Sequence, residues 1–82
     1  MSKLLIIDDD NSLADLVKSA LEKAGWHVEL AFNYGDGWQL LNNFPFDMVL
    51  LDWDLPDGTG LKLCREYRAG GGTTPILSLI HI

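Results

Sequence analysis

Two short stretches of this sequence place carboxylates where an apolar segment stops. Lys3-Leu-Leu-Ile-Ile-Asp8-Asp9-Asp10 and Met48-Val-Leu-Leu-Asp52-Trp-Asp54-Leu-Pro56-Asp-Gly-Thr-Gly60 share one grammar: a run suited to a buried strand, then acid, then a turn. Carboxylates gathered at strand ends serve as oxygen ligands for a hard cation, or as a nucleophile with an acid or base partner. Asp8, Asp9 and Asp52 suit a magnesium site, since that ion takes one or two carboxylates, keeps several waters and often holds a phosphate oxygen. Two carboxylates about 5 Å apart repel by roughly 3 kcal/mol at an effective dielectric of ~20. A divalent ion removes that repulsion and screens an incoming phosphoryl group, so that a carboxylate oxygen can attack it.

The elements that must position these acids follow from hydrophobic periodicity. Residues 4–7 form a continuous apolar run, as expected of a parallel strand covered on both faces. Asn11 or Ser12 then reads as a helix N-cap, with Ser12 and Asp15 approximating a capping box. Leu13, Leu16, Val17, Ala20, Leu21 and Ala24 make one helical stripe, and Gly25 stands where a left-handed C-cap is wanted. Trp26, Val28, Leu30 and Phe32 alternate with His27, Glu29 and Ala31, the pattern of a half-covered strand. A second helix is predicted over 34–42 on the face of Tyr34, Trp38 and Leu41, with Gly35 and Gly37 each weakening it by up to about 1 kcal/mol. A strand at 47–51 leads into Asp52. Leu61, Cys64 and Tyr67 mark a third helix ending near Ala69. Gly70-Gly71-Gly72-Thr73-Thr74 reads as a flexible connector before a last apolar run at 76–80. Strands alternating with helices in this order indicate an α/β fold with a parallel sheet and right-handed crossovers. In such sheets, ligands bind at the carboxyl ends of the strands, where Asp8 and Asp52 fall.

Composition narrows the options. The chain has 82 residues, 48% hydrophobic and 22% charged, which suits one globular domain. Its net charge of -6 argues against a direct nucleic-acid contact from these residues. One cysteine, Cys64, leaves no internal disulfide and no thiolate metal site. No stretch approaches the roughly 18 apolar residues of a membrane span, and the start is too short for a signal peptide, so no membrane role and a cytoplasmic location are expected.

The paired motifs resemble the receiver domain of bacterial two-component response regulators, over residues 3–77. That resemblance implies a flavodoxin-like, doubly wound parallel sheet of order 2-1-3-4, a phosphoacceptor domain rather than a turnover enzyme, and magnesium as cofactor. It makes Asp52 the phosphoryl acceptor. Asp9 would ligate the metal directly, and Asp8 directly or through water. The backbone carbonyl of Asp54 completes the ligand set, while Pro56 and Gly60 shape the loop after the acceptor. It further implies a sensor histidine kinase as partner and an output domain outside these residues. The Leu-Pro56-Asp-Gly-Thr-Gly60-Leu run looks most like regulators with a winged-helix, DNA-binding output and hence a role in transcription.

The sequence also departs from that pattern. Receiver domains continue through a fifth strand and two more helices, so residues 1–82 read as a partial receiver. The bared edge and sheet faces predict marginal stability and a tendency to dimerise. The switch hydroxyl expected at the end of the fourth strand is replaced by Ile80, and Ser78 lies two residues early. The family lysine has no counterpart; Lys62 is on a helix. The tail 78–82 fits the family poorly and, with Leu77, resembles a translated transposon-end adapter, which marks it as a candidate non-native tail. Metal binding is therefore expected to outlast switching. An alternative reading takes Asp52-x-Asp54 as the nucleophile and general acid of a haloacid dehalogenase-type phosphatase fragment. Against it, Leu55-Pro56 breaks that motif and the acids at the first strand are foreign to it. A non-functional fragment of either family is the third reading. Among the other polar and aromatic residues, Asp10 reads as a cap and Asp57 as a loop acid. His27 reads as a surface residue, and Cys64, Trp26, Trp38 and Tyr34 as packing. Trp53, next to the acceptor, is a candidate reporter of metal binding.

Overall fold

Each residue of β1 (Lys3–Ile7) points to the opposite side of the sheet from its neighbour, and both sides are covered. Leu4 and Ile6 join one apolar layer; Leu5 and Ile7 join the other. This explains the unbroken apolar run: a strand buried on both faces has no position for a polar side chain. The computed structural model describes residues 2–79. After β1 come α1 (Asn11–Lys23), β2 (His27–Ala31), α2 (Tyr34–Asn43) and β3 (Met48–Asp52). A short hairpin of β4 (Asp54–Leu55) and β5 (Gly58–Thr59) precedes α3 (Gly60–Ala69) and β6 (Ile76–Leu79). The four long strands form one parallel sheet in the order β2-β1-β3-β6, so the second, first, third and fourth main strands follow one another as expected.

The layer under α2 and α3 holds Leu5, Ile7, Leu41, Val49, Leu63 and Tyr67 among its buried residues; the layer under α1 is built on Leu4, Ile6, Ala14, Val28 and Leu50. Gly37, expected only to weaken α2, lets the helix lie on the sheet. A Cβ there would come within 2.7 Å of the Ile7 side chain.

Several local expectations are corrected. The N-cap of α1 is Asp10, in keeping with its reading as a cap, and not Asn11 or Ser12; its Oδ1 accepts from the Leu13 N–H at 3.0 Å. The buried stripe of α1 keeps Val17 and Leu21 of the expected set and adds Ala14, leaving Ala20 and Ala24 exposed and Leu16 at 68% exposure. The small side chain of Ala14 brings the helix close to the sheet, and the larger leucine is left outside. In β2 the alternation holds for Val28 and Leu30, but Phe32 lies beyond the strand and is exposed, while Ala31 is buried on the α2 side. In α3 the core position is Leu63, not Leu61.

The connector 70–74 is a tied turn. The Tyr67 hydroxyl donates to Thr74 Oγ1 at 2.8 Å and accepts from the Thr74 N–H at 3.3 Å, and Arg68 Nη1 donates to the Gly72 carbonyl at 3.1 Å. It orders the entry to β6, which pairs with β3 from Val49↔Ile76 to Asp52↔Leu79. Ser78 and Leu79 lie in β6, while residues 80–82 of the expected tail, with Ile80, lie outside the described residues.

Candidate functional site

Register brings the acids together. β1 and β3 pair from Leu4↔Met48 to Ile7↔Leu51, so Asp8 and Asp52 each follow the last matched apolar pair at the carboxyl end of the sheet. Both are buried, Asp8 fully and Asp52 to within 2%, while Asp9 is exposed. One carboxylate oxygen from each of Asp8, Asp9 and Asp52 lies within 4.8 Å of the others. Asp8 Oδ1 accepts from the Asp10 N–H at 2.9 Å, which turns the chain into α1. Asp9, Asp10, Asp52 and Asp54 line an open cleft of about 420 Å³. The donor set is all oxygen, compact and anionic, which fits a small hard divalent cation.

The loop after Asp52 is more structured than a simple turn. β4 and β5 pair as Asp54↔Thr59 and Leu55↔Gly58, with Pro56 and Asp57 at the hairpin tip. The Asp54 N–H points at Asp52 Oδ1 from 3.4 Å. Thr59 caps α3 by accepting from the Lys62 N–H at 3.1 Å, and the Gly60 N–H donates to the Trp53 carbonyl at 2.8 Å. Gly60 packs directly on the Asp52 backbone, leaving no room for a Cβ. Lys62 lies away from the cleft: its Nζ is 3.8 Å from Glu66 and sits over the Tyr34 ring. Ser78 pairs in register with Leu51, one residue short of Asp52.

The sequence reading missed the role of Asp57. Its carboxylate accepts from the Tyr34 N–H at 2.6 Å and the Gly35 N–H at 3.0 Å, the first amides of α2. Those two bonds, Gly35 first, hold its carboxyl below the ordinary carboxylate value. No local pattern signals this contact, because the partners are 23 residues apart. Tyr34 is also more than packing: its hydroxyl donates to Glu66 Oε2 at 2.6 Å, and burial, then Glu66, pushes its pKa above the ordinary phenol value. The Asp57 contact carries a pH signature. A group whose folded pKa is depressed stabilises the fold above its unfolded value and loses that contribution as pH falls through the folded value. The difference in urea midpoint between the native chain and Asp57→Ala is therefore expected to be full at neutral pH. It should shrink once pH drops below the ordinary carboxylate value of 3.8; a gap that widens on acidification would contradict the contact.

The fold recurs in known proteins. The family model for the response regulator receiver domain matches residues 4–80. The transcriptional regulatory protein DltR of Streptococcus agalactiae is 36% identical over 77 residues, covering 94% of this chain and 34% of that protein. The response regulator ArlR of Staphylococcus saprophyticus is 34% identical over the same length, with the same coverage. Among solved structures, the receiver domain of Francisella response regulator 1452 superposes with a TM-score of 0.95 at 29% identity, covering 98% of this chain and 66% of that one. Response regulator TrrA of Thermotoga maritima, solved in complex with Mg2+-BeF, gives 0.92 at 26% identity over 98% of this chain and 70% of that one. The chain belongs to the response regulator receiver domain family, whose fold is the flavodoxin-like one, and it is homologous to transcriptional regulators. That is not an enzyme family of the phosphatase kind considered from Asp52-x-Asp54. The chain spans about a third of the length of these curated relatives. No helix among the described residues is long and apolar enough to cross a membrane.

Proposed function

We propose that Asp52 accepts a phosphoryl group from the phosphohistidine of a sensor kinase, and that Asp8, Asp9, Asp52 and the Asp54 backbone carbonyl hold the magnesium ion this requires. The observation that carries the reading is the cluster itself: three carboxylates within 4.8 Å, two of them buried, at the carboxyl ends of adjacent parallel strands. A Mg2+ ion there would offset the mutual repulsion of the acids and screen the oxygens of the incoming phosphoryl group. A carboxylate oxygen of Asp52 attacks phosphorus, the phosphorus–nitrogen bond to the kinase imidazole breaks, and an acyl phosphate remains on Asp52. Burial of Asp8 and Asp52 keeps their carboxylates at fixed positions, while exposed Asp9 leaves the cleft open to the donor. Pro56 and Gly60 hold the loop that carries Asp54.

The reading includes no turnover on a diffusible substrate. The domain would act in the cytoplasm and pass its phosphorylation state to an output domain beyond these residues, a DNA-binding one by analogy with the transcriptional relatives. A magnesium titration followed by two-dimensional amide NMR tests it. Dispersed peaks with the largest shifts at residues 8–10 and 52–54 are expected. Well-dispersed peaks that ignore magnesium would overturn the metal site. Acyl phosphate formed once per chain and insensitive to Asp54→Asn supports an acceptor. Sustained hydrolysis of a phosphomonoester, lost in Asp54→Asn, would instead make it a phosphatase.

A further inference from the structure

The hairpin that carries Asp54 has only two residues in each strand. A ladder that short does not hold its own shape in water, so the position of the Asp54 backbone depends on what the hairpin is fastened to. At its base, Thr59 and Gly60 tie it to α3 and to the Trp53 carbonyl. Its tip is tied to α2. Asp57 takes the N–H groups of Tyr34 and Gly35 with separate oxygens, and the Tyr34 ring lies so close over Gly58 that a Cβ there would fall 2.6 Å from it. Tyr34 is itself braced against α3 through Glu66 and stacked on Trp38 at 6.5 Å between centroids. The helix has its own local cap: Asn33 Oδ1 accepts from the Asp36 N–H at 2.8 Å. Asp57 adds to that cap a bond that crosses from the site loop to another helix.

We infer that Asp57 is a positioning residue for the acidic site: by fastening the hairpin tip to the first turn of α2, it holds the Asp54 carbonyl where a cation in the cleft can use it. The inference rests on the metal-site reading above. It adds that site occupancy and the order of the α2 N-terminus are linked. Linkage is reciprocal, so whatever Asp57 contributes to cation affinity, the cation must return as order in the first turn of α2.

Two measurements on the 82-residue chain test this. The first is magnesium affinity, read from Trp53 fluorescence, for the native chain, Asp57→Asn and Asp57→Ala. Residues that orient metal ligands from outside the ligand set typically contribute 10–100-fold, and an anchor acting through a loop backbone belongs near the lower end, so a loss of about tenfold is expected for Asp57→Ala. Asp57→Asn keeps one acceptor oxygen and should fall between. The second is amide hydrogen exchange at Tyr34 and Gly35, which should slow in the native chain on adding magnesium and lose that response in Asp57→Ala. A purely structural role would lower the melting temperature of Asp57→Ala while leaving its magnesium affinity at the native value, and that result overturns the inference. If Asp57→Ala does not fold, exchange in the native chain decides, since magnesium-independent exchange at both amides also overturns it. A native chain with no magnesium response brings down the site reading and this inference together. A native response that Asp57→Ala leaves intact brings down only the inference.

Discussion

Asp52→Asn should take up no phosphoryl group from a small acyl or phosphoramidate donor, while the native chain gains one, as read by intact mass. The amide has nearly the shape of the carboxylate and can still face the Asp54 N–H, so the pocket keeps its form and loses only its nucleophilic oxygen. The same variant should be harder to unfold when magnesium is absent. Asp8 and Asp52 are both buried, and with Asp9 they bring carboxylate oxygens within 4.8 Å of one another. Removing one charge relieves a repulsion of up to about 3 kcal/mol at an effective dielectric of ~20. Roughly each kcal/mol gained raises the melting temperature of a domain this size by about 4–8 °C. Magnesium should then stabilise Asp52→Asn less than it stabilises the native chain. A phosphoryl adduct that persists in Asp52→Asn would move the acceptor to another acid of the cleft.

The largest expected loss of stability comes from one added methyl group. A Cβ on Gly60 would lie 2.4 Å from the Asp52 carbonyl oxygen and 3.1 Å from Trp53 Cα. Both neighbours are backbone at the end of a central strand, so no side chain can rotate away, and relief requires β3 and the start of α3 to separate. Overpacking of this kind costs about 1–3 kcal/mol, and a backbone clash puts Gly60→Ala at the upper end. Total stability for a chain of this length is about 4–12 kcal/mol. The melting temperature should therefore fall by roughly 15 °C. Gly70→Ala is the control. Its Cβ would meet nothing nearer than the Glu66 carbonyl oxygen at 3.5 Å, and its φ of -81° suits any residue. Its stability should stay within about 0.5 kcal/mol of the native chain. Equal losses for both variants would show that the clash does not govern position 60, since alanine is the better helix former.

The parts of the fold legible in the sequence were those set by burial on both faces. β1 and β3 are unbroken apolar runs because α1 covers one side of the sheet and α2 and α3 the other, and the acids that end them mark the cleft. Positions where one small residue decides the packing were less legible. Ala14 gives no periodic signal, so periodicity finds Val17 and Leu21 but widens the α1 stripe to Leu16, which faces away from the core. Leu63 was passed over for Leu61 in the same way, since a helix short of large apolar residues supports more than one stripe. The connector at 70–74 looked free because its fastening comes from the hydroxyl of Tyr67, a residue read only as apolar packing. The Asp57 contact could not be found by any windowed pattern. It joins two loop ends that become neighbours only after the sheet has formed.

The fit of Ile7 beneath Gly37 has a consequence for the chemistry one residue further on. Ile7 immediately precedes Asp8, and only the missing side chain at position 37 leaves room for it. The pair works as an index pin: β1 seats when Ile7 enters that notch and in no neighbouring setting. A slip of one residue would turn Ile7 to the α1 side, present Ile6 or Asp8 to the notch and carry the carboxylate away from Asp52. α2 contributes no acid to the cleft, yet it gauges how far β1 advances. The alignment of Asp8 with Asp52 is thus machined by an apolar joint, and the charged residues inherit their tolerance from it.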